Sequence, residues 1–169
     1  TKAYRCQAEL VQLLLQAGAN PNTCSSCDCI PPIVEAARSG DIATVEALLK
    51  SGADINSRDA SGASALHWAI AHGRNNVVQY LLEHNAMTEV PTTRTNVCMV
   101  KCYDELDIKA GSTPLHIAAA TANEIVVQQL LQAGAQVNTE DANGDTPFTA
   151  AAKCANVPIM QLLRRAGAD

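Results

Sequence analysis

Aromatic side chains are scarce in this chain: one Trp, one Phe and three Tyr, 3% of 169 residues. That excludes a core built around large rings. Ala, Leu, Val and Ile are left to fill it, which suits closely packed helices better than a sheet sandwich. An excess of basic charge is missing too. Twelve Lys and Arg against 17 Asp and Glu give a net charge of −5, which argues against broad electrostatic capture of nucleic acid or anionic lipid. No apolar run approaches the roughly 18 residues that a membrane helix needs, and nothing reads as a signal peptide. The seven cysteines are odd in number and unevenly spaced, in a chain long enough not to need covalent staples. They read as mainly reduced thiols of an intracellular protein, cytoplasmic with the nucleus as the alternative.

What is present is a repeat. Pro31-Pro32-Ile33-Val34, Ser64-Ala65-Leu66-His67, Thr113-Pro114-Leu115-His116 and Thr146-Pro147-Phe148-Thr149 align, with starts separated by 33, 49 and 33 residues. The middle gap is one period plus 16. A second marker agrees, because Gly18, Gly52, Asn85, Gly134 and Gly167 follow Leu-rich segments at intervals of 34, 33, 49 and 33.

Each copy has a mechanical reading. Thr113 is suited to cap a helix through its hydroxyl, and Pro114 to occupy the first helical position, where no backbone donor is needed. The small Ala118 and Ala119 permit close approach of a second helix, predicted over 124–133, whose Val126, Val127, Leu130 and Leu131 form an apolar stripe. Gly134 ends that helix in the left-handed conformation, and Asn85 does the same in the third copy.

These motifs make the chain resemble an ankyrin repeat array. Thr-Pro-Leu-His-x-Ala-Ala is complete at Thr113 to Ala119 and nearly so from Ser64 to Ala69, and Gly52 to Asn56 carries the Gly-Ala-Asp and Asn positions. The resemblance implies an all-α solenoid of stacked helix-turn-helix units with projecting β-hairpin or loop fingers, and a concave face that binds other proteins. Stacking itself follows from the repeat, since one copy cannot bury its apolar faces alone. The expected organisation is a single domain over 1–169. It comprises a partial copy at 1–22, copies at about 23–56, 57–88, 107–138 and 139–169, and an inserted finger at about 89–109. Leu10, Val11, Leu13, Leu14 and Leu15 are as apolar as an internal copy, so natural sequence is expected upstream. Arg164, in the slot of Leu15, Leu49, Leu82 and Leu131, reads as a polar cap.

Function is sought where the copies differ. From Ala86 to Gly111 there are 25 positions, against nine from Ala53 to Gly62. The insertion carries Val97, Met99, Val100 and Tyr103, unusually apolar for a passive loop, and is read, with Val97, Met99, Lys101 and Tyr103 as its contact patch, as a binding element, the alternative being a tolerated surface insertion. Cys24, Cys27 and Cys29 lie in one finger and Cys98 and Cys102 in another. Zinc ligation, a Cys24–Cys29 or Cys98–Cys102 disulfide and free thiols all stay open, although the two clusters are on the order of 20 Å apart for helices packed at ordinary spacing. His67 and His116 share one slot of one motif, so their role is structural. Trp68 is open between core packing and partner contact.

No Ser, His and Asp constellation stands apart from the repeats, and there is no phosphate-cradling loop. The chain reads as non-enzymatic, without a cofactor. The resemblance also offers Asn56 as a hydroxylation position, since Leu48, Asp54, Ile55 and Asn56 fit the spacing that asparaginyl hydroxylases favour; the alternative is that Asn56 only caps its turn through its side chain. The stacking scheme leaves free Arg38, Ser39, Ala60, Ser61 and His72, then Lys109, Ser112 and Thr121, then Asn143, Asp145 and Lys153. The expected function is a monomeric interaction module for a protein partner, without nucleic acid or membrane insertion. The alternatives are a spacer orienting other domains and a cysteine-based metal or redox sensor.

Overall fold

Short apolar periods closed by turn residues fold as short helices in pairs. The computed structural model describes residues 2–23, 30–93 and 109–169, with side chains from residue 8 onward. Its described residues divide into two compact units, Thr1–Ala60 with Ser64–Ala86, and Ser61–Ala63 with Met87–Asp169.

The first unit holds α1 (Lys2–Gln16), α2 (Pro32–Ser39), α3 (Ile42–Lys50), α4 (Ala65–Ala71) and α5 (Asn75–Glu83). Within it α2 pairs with α3 and α4 with α5, while α2 stacks on α4, and α3 lies between α1 and α5. The second unit holds α6 (Pro114–Ala120), α7 (Glu124–Gln132), α8 (Pro147–Lys153) and α9 (Val157–Arg165). Here α6 pairs with α7 and α8 with α9, α6 stacks on α8, and α7 on α9. The expected second helix at 124–133 thus ends one residue early, with Ala133 as its cap.

Local chemistry sets the boundaries. Pro32, Pro114 and Pro147 open their helices where a missing N–H costs nothing. Asp41, Asn123 and Asn156 cap the second helices, their side-chain oxygens accepting the N–H of Thr44, Val126 and Ile159 at 3.3, 3.3 and 3.1 Å. Between the paired helices the chain turns through a left-handed residue: Gly40 and Gly73 in the first unit, but Ala122 (φ 58°) and Ala155 (φ 52°) in the second. Both alanines carry a steric strain that glycine avoids. Of the expected β-hairpin fingers, the described residues retain one isolated antiparallel bridge, Arg58 with Ser64.

The core is aliphatic, as the shortage of rings requires. Leu48, Leu81, Leu130 and Leu163 occupy one slot in four second helices and are at most 2% exposed, each contributing about 1.5–3 kcal/mol by burial. Leu14 stands in the same slot of α1 yet is 52% exposed, with Leu10 at 56% and Leu13 at 63%. In the other copies that face is covered by the copy's own first helix. On α1 the described residues leave that face more than half exposed.

Candidate functional site

The hallmark motif spends its polar groups on folding. In α4 and α6 the third helical residue is His67 and His116, and each Nδ1 accepts the backbone N–H of its cap residue, Ser64 at 3.1 Å and Thr113 at 3.2 Å. The cap hydroxyls lie 2.9 Å from the same nitrogens. An accepting Nδ1 carries no proton, so the proton of neutral His116 is on Nε2, which donates to the carbonyl of Asp145 at 2.9 Å. Burial pushes the His116 pKa below the ordinary imidazole value. Thr149 fills the same slot without a ring: its Oγ1 accepts the Thr146 N–H at 2.8 Å, and Thr146 Oγ1 accepts the Thr149 N–H at 3.3 Å. Thr113, His116 and Asp145 therefore do not form a nucleophile's triad. The hydroxyl is buried, and Asp145 offers its main chain.

The fingers show where the extra length enters. At the tip of the last finger, Asp141 Oδ1 accepts the N–H of Asn143 at 2.8 Å and of Asp145 at 3.0 Å. The Asp141 N–H donates to Asp145 O, and the Gly144 N–H to Asp141 O. The same frame recurs around the insertion: Thr92 N–H to Ser112 O at 3.0 Å, Gly111 N–H to Thr92 O at 2.7 Å, and Ser112 N–H to Thr92 Oγ1 at 3.1 Å. Thr92, Gly111 and Ser112 hold the slots of Asp141, Gly144 and Asp145. Neighbouring fingers fix the remaining register, because Thr93 N–H donates to Ser61 O and Ala142 N–H to Ala110 O, each at 2.8 Å. Ala110 is thus the equivalent of Ser61, and the 16 extra positions are 94–109, spliced between the second and third residues of a retained turn.

In three copies a side chain near the end ties the copy to the next. Asn22 Nδ2 donates to Gly52 O at 3.1 Å and its Oδ1 accepts the Asp54 N–H at 2.9 Å; Asn138 repeats this with Gly167 and Asp169. Glu89 takes that slot in the third copy and accepts the Gln136 N–H at 2.9 Å. Asn56, the expected hydroxylation position, is half-buried, its N–H on Asp54 Oδ1.

The expected contact residues fare differently. Ala60, Asn143 and Lys153 are exposed; Arg38, Ser39, Ser61 and His72 are half-buried, as are Lys109, Thr121 and Asp145. Ser112 requires a correction, being only 4% exposed. Its hydroxyl accepts the Lys109 N–H, and its main chain bonds Thr92 twice. A small polar residue at the neck of a loop is consumed by the turn. The structure brings together Lys109, Asp145 and Lys153, since the Asp145 carboxylate accepts from Lys153 and, at 3.4 Å, from Lys109. Those bonds, led by Lys153, pull its pKa down. Thr121 and Ser39 turn their hydroxyls onto helix-end carbonyls. Trp68 is half-buried, its indole N–H donating to Asp59 Oδ2 at 2.7 Å. Val97, Met99, Lys101 and Tyr103 lie outside the described residues, as do Cys24, Cys27, Cys29, Cys98 and Cys102. Among the described residues no three His, Cys, Asp or Glu side chains could hold a metal.

Sequence reading missed Arg74. It stands in the cap slot of Asp41, Asn123 and Asn156 but accepts nothing from α5. Its Nε instead donates to Arg38 O at 3.1 Å. The signal was available as a basic residue where three copies carry Asp or Asn.

Known proteins agree with this architecture. A family profile described as ankyrin repeats (3 copies) matches residues 2–93 and 92–169. The chain is similar to the palmitoyltransferase Hip14 of Drosophila melanogaster, 32% identical over 112 residues, which is 66% of this chain and 15% of that protein. It is 44% identical to ankyrin repeat domain-containing protein 40 of Mus musculus over 61 residues, 36% of this chain and 17% of the relative. An ankyrin repeat protein of fowlpox virus is 28% identical over 153 residues, covering 80% of this chain and 81% of its own length. The chain thus spans only a small part of the first two relatives. Repeats of this kind are generally protein–protein interaction modules and typically non-enzymatic. Matched by the profile from residue 2 to residue 169, and built of the helix pairs and tied fingers just described, the chain belongs to the ankyrin-repeat family.

Proposed function

We propose that this chain is a non-enzymatic module that binds a partner protein through the exposed ends of its first helices, its finger tips and the inserted finger. One observation carries the reading: motif residues common to the copies are consumed by caps and packing, while the 16 extra residues are spliced into a tip turn whose frame is kept. An insertion that leaves its scaffold intact adds surface at little cost in loop-closure entropy. Arg38, Ser39, Ala60 and His72 in one unit, and Ser61, Thr121, Asn143 and the Lys109–Asp145–Lys153 group in the other, supply further contacts. Val97, Met99, Lys101 and Tyr103 give the insertion its apolar and basic character. The module works as a monomer inside the cell, cytoplasmic or nuclear, and without nucleic acid.

Affinity capture from lysate of the source cell, comparing the chain with a variant lacking 94–109, tests the reading. A partner held by the first and lost by the second supports it. A partner held equally by both removes the inserted finger from the site, and no partner for either overturns the module.

A further inference from the structure

Among the described residues three finger tips close on a glycine in the left-handed region, Gly62 (φ 78°), Gly111 (φ 82°) and Gly144 (φ 77°). The residues before them are Ser61, Ala110 and Asn143. Only the last tip pairs Asn with Gly, and Asn143-Gly144 is the one Asn-Gly step in the chain. That pair has a chemistry of its own, because a main-chain nitrogen can attack the preceding carboxamide when the residue that carries it has no Cβ to obstruct the approach.

The surroundings of the three tips differ as well. A Cβ on Gly62 would lie 2.7 Å from Thr93 Oγ1, and one on Gly111 would lie 2.9 Å from Ala142 N, so the next finger closes in each of those tips. A Cβ on Gly144 would meet nothing within 4 Å. Ala142, Asn143 and Gly144 are all exposed. Among the described residues the Asn143 carboxamide makes no hydrogen bond, while its main-chain N–H donates to Asp141 Oδ1 at 2.8 Å and the Gly144 N–H to Asp141 O at 3.0 Å. The tip buries no apolar side chain. Opening the bond that holds the Gly144 nitrogen is therefore a local event, far less costly than unfolding the copy.

We propose that Asn143 is a site of spontaneous deamidation in the folded 169-residue chain, and that the reaction rewrites the last finger tip. Gly144 N loses its proton to base and attacks Asn143 Cγ; the N–Cγ bond forms, the Cγ–Nδ2 bond breaks and ammonia leaves, giving a succinimide ring. Water then adds to one of the two ring carbonyls. Cleavage of N–Cγ leaves aspartate, whereas cleavage of the original peptide bond leaves isoaspartate, with the main chain rerouted through Cβ and Cγ. Either product sets a new carboxylate beside Asp141 and Asp145. Isoaspartate also lengthens the main chain by a carbon between Asp141 and the Asp145 N–H that its Oδ1 accepts. That frame positions Asp145, whose carbonyl accepts from His116 and whose carboxylate accepts from Lys109 and Lys153. The chemistry does not rest on the interaction-module reading, although Asn143 and Asp145 are two of the contacts which that reading assigns.

The test incubates the folded full chain at about pH 8, since the attacking nitrogen must lose a proton, and follows peptide maps by mass. The peptide containing Asn143 is expected to gain about 1 Da and to become a substrate for an isoaspartyl methyltransferase, roughly tenfold faster than any other Asn-containing peptide. Asn143→Ser, which installs the residue of the Ser61 slot, removes the signal. Ion exchange separates the products by their added charge. The isoaspartate form is expected to melt a few degrees below the unconverted chain, whereas Asn143→Asp, which adds the charge without rerouting the main chain, melts within about 1 °C of it. No gain at this peptide over the time in which the urea-unfolded chain converts overturns the proposal, because the frame then protects Asn143. A gain kept in full by Asn143→Ser places the reaction elsewhere and overturns it too. Equal melting of the isoaspartate form and the unconverted chain overturns the rewriting of the tip.

Discussion

His116 is a residue whose structural role can be measured through pH. Its Nδ1 must accept from Thr113 and its Nε2–H must donate to Asp145, so a second proton breaks the cap. Burial holds its pKa below 6.5, the ordinary value, so on acidification the unfolded chain takes up the proton first. The stability that neutral His116 provides is fully present above about pH 6.5 and is lost as pH falls toward its native pKa. Asp145, pulled below its ordinary 3.8, acts in a separate and more acidic window. Denaturant melts at pH 7 and pH 5 check this: His116→Thr, which installs the residue that the last copy carries as Thr149, is expected to lose less stability between the two than the unsubstituted chain. Ala122 and Ala155 give a second prediction at this scale. Each stands at a positive φ where the first unit has glycine, so Ala122→Gly or Ala155→Gly is expected to raise stability by about 0.5–1 kcal/mol in the same melts.

At the scale of elements, the helices were legible and the neck of the insertion was not. Pro114 after Thr113, the Val126, Val127 and Leu130 stripe and the closing Gly134 define a helix pair from local periodicity alone. Thr92 and Ser112, by contrast, form one turn across 20 positions, and Thr92 replaces the Asp that marks the tip in the neighbouring fingers. Pairing at that separation is not a local property of sequence. The recovered frame predicts that deleting 94–109, which joins Thr93 to Ala110 in the register of Ala142 and Asn143, changes stability by less than about 1 kcal/mol. Chemical denaturation of the deletion variant checks this, and a collapse of cooperativity would show that the frame depends on the inserted residues. Thr92→Val, which removes the acceptor of the Ser112 N–H and the donor to Lys109 O, is expected to cost about 1 kcal/mol.

Across the whole molecule, surface character separates α9 from the other second helices. Arg164 is exposed in the slot that holds Leu49, Leu82 and Leu131, and Val157 on the same helix is 57% exposed. Arg164→Leu in this 169-residue chain adds a second large apolar side chain to that surface and is expected to promote self-association. Light scattering across a concentration series checks it, with no change in apparent mass as the contrary result.

By itself the sequence determined the period, the helix pairs, the positions of 16 extra residues to within one finger, and membership of a family built on those motifs. These follow from spacing, because a repeat writes the same local rules several times. Only the tertiary structure decided which polar residues are spent on folding and which stay at the surface. Ser112 went inward because a turn at the neck of a loop takes its hydroxyl and both main-chain groups. Arg74 came into view because its cap slot is empty of acceptors and its guanidinium reaches another helix. Hydrogen-bond satisfaction is a property of neighbours in space, and it assigns a side chain its role only after the copies have stacked.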